Sequence, residues 1–206
     1  MSRDVKCDQI KLTIPLAIAS ISLALVACGC SVVDLGGRRP VMPIIDDERN
    51  PLVVIETTRG SMTAELDERD MPNAVSYFIY LVENSEAYNG RPVYMADPKA
   101  VYAGPQRKPL GFTIQHERAG HSHKRGDLSI KGDADGTLTA DVLIMRGNSA
   151  DLDELHTVIG EIVDGSRTLD RLKQGDVIHR IYVKRKKGHD YAPTVRSDGP
   201  VRTGEF

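Results

Sequence analysis

His116, Glu117, His121 and His123 fall in one short stretch, and imidazoles with a carboxylate are the usual ligands of borderline metal ions. His121 and His123 alternate on an extended chain and could meet one ion. The stretch lacks a firm fourth ligand and any element that would fix its geometry, so neither a metal nor another cofactor is expected. Asp133 and Asp135, set between Gly132 and Gly136, begin like a calcium loop, but the pattern does not run on to a closing glutamate and reads as a turn. No Ser-His-Asp order, glycine-rich phosphate loop or paired carboxylates stand out.

Cysteine chemistry is confined to the N-terminus. Arg3, Lys6 and Lys11 flank the start of an apolar run, Leu12 to Val26, of signal-sequence size and short of the roughly 20 residues that span a bilayer. The run closes on Leu25-Val26-Ala27-Cys28, which resembles the bacterial lipoprotein box, where the cysteine becomes the lipidated first residue of the mature chain. Residues 1–27 are therefore expected to be a lipoprotein signal peptide. Lipid on Cys28 would hold the chain at a membrane of the bacterial cell envelope, facing the periplasm or the exterior. The alternatives are an ordinary cleaved signal, for which Leu25 is a poor small residue, and an uncleaved anchor, for which the run is short. Cys7 lies in the segment to be removed, and Cys30 is a bystander beside the lipid site or a partner in an intermolecular bridge.

The elements that must position any site begin after a tether. Residues 28–50 carry Gly36-Gly37, Pro40, Pro43 and a charged run without periodicity, which reads as a flexible spacer. Residues 51–187 form the expected domain, and 188–206 read as a disordered tail. Strand patterns fall at Val53 to Thr57, Ser61 to Leu66, Val93 to Ala96, Ala100 to Ala103, Asp127 to Ile130, Asp141 to Met145, Thr157 to Val163 and Val177 to Val183. Helical spacing predicts Asn73 to Tyr88, behind Pro72, and a shorter helix from Ser166 to Lys173. Eight short strands with one early and one late helix imply a mainly β fold, a closed barrel capped by two helices. A net charge of −2 gives no reason to expect nucleic acid, and 5% aromatics without tryptophan would line a pocket sparsely.

Several blocks, in order, resemble the cyclophilin-type peptidyl-prolyl isomerases. Met71-Pro72-Asn73-Ala74-Val75-Ser76-Tyr77-Phe78 looks like the family's first helix, and Tyr88-Asn89-Gly90 like the motif that follows it. Lys124-Arg125-Gly126-Asp127-Leu128-Ser129 and the stretch from His156 to Leu172 complete the likeness, which covers about residues 52 to 183. The resemblance implies a cyclophilin-like eight-stranded β-barrel. It also implies a site that binds X-Pro segments of a polypeptide and stabilises the twisted imide with an arginine donor.

Laid on that pattern, the arginine position is Met95, which in isolation reads as a core methionine. The phenylalanine and glutamine positions of the next strand are Ala100 and Ala103, and a further glutamine position is Asp141. A family tryptophan is matched by Asp151. The proline-groove positions that keep apolar or matching residues are Val101, Leu143, Leu152 and His156. His156 is either a groove wall or a packing residue at a strand start. The function expected is a tethered cyclophilin-like module that has lost most isomerase activity and binds a polypeptide or serves structurally. The alternative is an active isomerase working on X-Pro bonds of envelope proteins.

Overall fold

Alternating apolar and polar residues build eight strands in the computed structural model, which describes residues 49–106, 114–117 and 120–195. They are β1 (Leu52–Thr57), β2 (Gly60–Leu66), β3 (Arg91–Ala96), β4 (Ala100–Ala103), β5 (Asp127–Gly132), β6 (Leu138–Met145), β7 (Thr157–Asp164) and β8 (Val177–Arg185). Around the barrel the order is β1-β2-β7-β5-β6-β4-β3-β8, closing on β1, with every neighbouring pair antiparallel. Closure leaves no open edge for another chain to pair with. Cys28, the signal segment, Arg107, Arg118 and residues 196–206 lie outside the described residues.

One side chain in two points inward. Val53, Ile55, Ala64, Leu66, Leu128, Ile130, Val142, Ile144 and Ile159 meet inside the barrel and are buried. Helix α1 (Pro72–Asn84) adds Ala74, Val75, Phe78 and Leu81 to the same core, and α2 (Ser166–Arg171) adds Leu169. The first amides of α1 need outside acceptors. Glu117 supplies them from a loop far along the chain, its Oε1 accepting from Asn73 N–H at 3.2 Å and its Oε2 from Ala74 N–H at 2.6 Å. The helix stops before the expected Tyr88: Ser85 Oγ donates to Leu81 O at 2.7 Å, and Tyr88 turns back to pack against Phe78, ring centroids 5.5 Å apart.

The tail expected from residue 188 onward is corrected over 188–195. Tyr191 is 3% exposed, belongs to the main core, and donates its hydroxyl to the buried Glu68 at 2.8 Å. His189 Nε2 meets the same carboxylate at 2.6 Å. Asn73 and Thr194 exchange two further bonds, of 3.1 and 2.7 Å, which strap the segment to the start of α1.

Candidate functional site

Outside the barrel, on the face of β3, β4 and β6, a second apolar cluster forms. Ala100 and Tyr102 of β4 pair with Met145 and Leu143 of β6, and Tyr94 and Leu152 pack onto these four. The rings of Tyr94 and Tyr102 are 6.3 Å apart and tilted by 42°. Asp141 lies two residues before Leu143 and therefore on the same face, yet it is only 3% exposed. Its carboxylate is satisfied by Gln106 N–H at 2.7 Å and by the hydroxyl of Tyr94 at 3.2 Å. Burial pushes the Asp141 carboxyl up from the usual range, and burial with the neighbouring Asp141 pushes the Tyr94 hydroxyl up as well. Tyr94 therefore stays protonated.

A bulge sets this face. Val93 stands opposite Ala103 and Met95 opposite Tyr102, so two steps of β3 span one step of β4, with Tyr94 as the extra residue. The bulge turns Met95 out with Tyr102, and it is 39% exposed.

His156 occupies a different setting. Its Nδ1 accepts from Gly132 N–H at 3.2 Å, which leaves the ring proton on Nε2. The ring lies edge-on to His123, 6.2 Å away, and borders a cavity of about 160 Å³ that none of Tyr94, Met95, Tyr102, Leu143 or Leu152 lines. Burial, with the His123 ring as a smaller cause, holds its pKa down at about 4. His123 is in turn fixed to Asp153 Oδ1, 2.7 Å from its Nδ1.

Residues 52–189, more than half of the chain, match the family described as cyclophilin type peptidyl-prolyl cis-trans isomerase/CLD. The chain belongs to that family. Among its relatives are peptidyl-prolyl cis-trans isomerases from two strains of Helicobacter pylori. They are 32% and 30% identical over 137 and 139 residues, covering 62% of this chain and 83% of each relative. The fold is that of a Cryptosporidium parvum cyclophilin-type isomerase crystallised in the presence of the dipeptide Ala-Pro. That match has a TM-score of 0.58 at 19% identity and covers 64% of this chain and 98% of the other. A second structure of the same Cryptosporidium protein gives a TM-score of 0.57 at 18% identity.

In this cyclophilin the outer cluster collects some of the positions marked in the sequence and disperses others. Leu143 and Leu152 join it, as do the substituted positions Ala100 and Asp141. Val101 does not. It points into the barrel at 2% exposure, and so does Ala103 at 3%, because β4 alternates and Ala100 and Tyr102 take the outer face. Val101 as a groove wall is thus corrected, and so is Met95 as a core residue, the bulge being the cause in the second case. Asp151 is exposed and paired with Lys99 Nζ at 2.9 Å. Tyr94, Tyr102 and Met145 were missed. Strict alternation from Ala100 would have found Tyr102, but nothing in the sequence marks the bulge that sets Tyr94.

The metal-like stretch also comes apart. Glu117 caps α1 and His123 is held by Asp153, so these two do not join His121 at one ion. Asp133 and Asp135 sit in a turn closed by Gly136 N–H to Asp133 O at 3.0 Å and by Thr137 N–H to Asp135 Oδ1 at 3.0 Å.

The Tyr94–Asp141 bond sets a testable cost. Tyr94→Phe removes one of the two donors to a buried carboxylate among the described residues, and the domain is expected to lose about 1–2 kcal/mol, read as a lower urea midpoint at unchanged slope. An unshifted midpoint would mean that solvent replaces the hydroxyl freely.

Proposed function

We propose that this cyclophilin is a membrane-tethered module of the cell envelope that has lost most prolyl isomerase activity and serves to bind a polypeptide or to build an assembly. The observation that carries this reading is what β3 turns outward: Tyr94, tied to Asp141, and the exposed Met95. A prolyl bond isomerises over a barrier of ~18–20 kcal/mol, and a fixed donor at the twisted imide nitrogen is what lowers it. A thioether has no proton to give, and the tyrosine's is engaged 3.2 Å away at Asp141. Arg91, at the start of this strand, and Arg146, which reaches the carbonyl just after its end, are committed elsewhere. Arg91 Nε donates to Ala87 O at 3.2 Å, and Arg146 donates to the carbonyls of Asp97, Leu169 and Leu172. The lipid on Cys28, and a position facing the periplasm or the exterior, rest on the N-terminal residues alone.

The second reading, an active isomerase for X-Pro bonds of envelope proteins, is favoured by the named activity of relatives 32% and 30% identical to the chain. Cis–trans exchange of a proline peptide, followed by NMR, separates the two. The protein used is a fragment of residues 49–195, kept long enough to include Tyr191 and first shown to be folded. Exchange is expected to stay at the spontaneous scale of about tens of seconds. Acceleration well beyond it would establish the second reading. Met95→Arg alone is expected to add far less than the roughly hundredfold that a positioned donor supplies, because Ala100 and the inward-pointing Ala103 bring no ring or amide to place the substrate.

A further inference from the structure

On another part of the surface, the turn between β2 and α1 holds two carboxylates on a fixed backbone. Asp67 N–H donates to Ile159 O of the barrel wall at 2.8 Å, and Asp67 O accepts from Met71 N–H at 3.0 Å, closing a helical turn just ahead of α1. Asp70 ends that turn, its N–H 3.4 Å from Asp67 Oδ1. A separate loop brings in His121, whose Nε2 lies 3.3 Å from Asp70 Oδ2. One donor atom from each of Asp67, Asp70 and His121 lies within 4.8 Å of the other two.

Donors bonded to one tetrahedral ion at about 2.0–2.2 Å stand about 3.4 Å apart. The Asp70–His121 edge already has that length, and rotation about side-chain torsions is enough to bring Asp67 in by ~1 Å or so. Two carboxylates neutralise a dication, and the imidazole selects within that charge class. Calcium and magnesium take oxygen donors, whereas a mixed nitrogen and oxygen set suits zinc, cobalt or nickel. Arg69 Nε meets the other oxygen of Asp70 at 3.2 Å from a largely exposed side chain, which leaves Oδ2 to face His121. Asp67 and His121 also face an open cavity of about 680 Å³, whose wall carries Glu65, Asp127 and Glu161. Water from that cavity can complete the coordination, and those carboxylates outnumber the opposing Arg69 and Lys124.

We propose that Asp67, Asp70 and His121 bind one divalent ion of the zinc, cobalt or nickel class, with solvent in the remaining positions. The set is not visible as a spacing, because His121 lies 51 residues from Asp70. None of the three donors belongs to the outer cluster of β3, β4 and β6, although His121 also lines the smaller cavity beside His156, so the proposal does not depend on whether that cluster catalyses.

The test titrates zinc, nickel, calcium and magnesium, each as the ion alone, into the full chain in detergent with its cysteines reduced. Bound metal is counted after equilibrium dialysis and affinity is read by calorimetry. His121→Ala and Asp70→Asn are compared with the parent, and thermal unfolding without metal checks each fold. The reading is the difference from the parent, which removes any contribution from Cys7, Cys28 and Cys30. The expected result is one ion fewer per chain, or affinity weakened by more than about tenfold, in both variants at unchanged metal-free unfolding. Binding equal in parent and variants overturns the proposal, as does no binding at all. Calcium or magnesium bound as tightly as zinc overturns the assigned class. Should one variant fail the fold check, the other carries the comparison.

Discussion

Gly160→Ala is expected to abolish the folded barrel. Gly160 sits in β7 opposite Leu66 of β2 on one side and Leu128 of β5 on the other. A Cβ there would lie 2.1 Å from Glu65 O and 2.8 Å from Leu66 Cα, and these are backbone atoms that no rotamer can move. Relief requires β2 to slide. Yet β2 is locked to β1 over six consecutive pairs, Leu52 with Glu65 through Thr57 with Gly60. Overpacking against side chains costs about 1–3 kcal/mol. A clash with a strand held on both edges is expected to exceed about 4 kcal/mol, a large share of the roughly 5–15 kcal/mol that keeps a domain folded. The variant should be insoluble, or soluble without a cooperative urea transition. Gly136→Ala is the contrast. Its Cβ meets nothing within 4 Å, and only the left-handed backbone at φ +76° resists it. That change should cost about 1–2 kcal/mol and leave the transition cooperative. A Gly160→Ala protein with the parental midpoint would show that β2 and β7 part easily, and the expectation that β1 locks β2 in place would fall.

The barrel was legible because alternation and turn residues carry it. Each strand expected from the pattern exists, with its edges moved by a few residues; β6, for example, starts at Leu138 and not at Asp141. Such edges are set by tertiary pairing, here Gly132 with Leu138, which a local pattern does not contain. The candidate face was legible only in part. Leu143 and Asp141 follow the period of β6 and come out where alternation puts them, and Leu152 reaches the same cluster from a short 3-10 helix beyond the strand. Met95 does not, because a bulge inserts one residue into a strand and reverses the face of all that follows. Val101 was assigned from its place in a four-residue block, and a one-residue offset is enough to send it inward. Tyr191 was hidden for a different reason. Its partner Glu68 is 123 residues away, so a lone tyrosine among polar residues gives no sign that it completes a core.

His156 makes the second large prediction, in acid. The folded protein holds the ring neutral down to about pH 4, chiefly by burying it at 8% exposure, while an unfolded chain takes up the proton near 6.5. Between those values the unfolded state binds a proton that the folded state refuses, so stability must fall as pH falls. The loss begins near pH 6.5 and levels off near 4, amounting to about 3 kcal/mol at 1.36 kcal/mol per unit. Other groups act in the same range with the opposite sign: Asp127 and Asp141, pushed up by burial, and His189, raised by its bonds to Asp190 and Glu68. A difference experiment removes them. His156→Asn keeps an acceptor for the Gly132 amide and cannot take a proton. At pH 7 the variant should be less stable than the parent, through lost packing. Between pH 6.5 and 4 the parent should lose about 3 kcal/mol relative to it, bringing the two urea midpoints together or past each other. The same ring decides between groove and scaffold. A His156 that titrates near its ordinary value in the folded domain, followed by its ring protons in NMR, would be open to solvent and to a ligand. One that stays neutral to about pH 4 is spent on holding the end of β5.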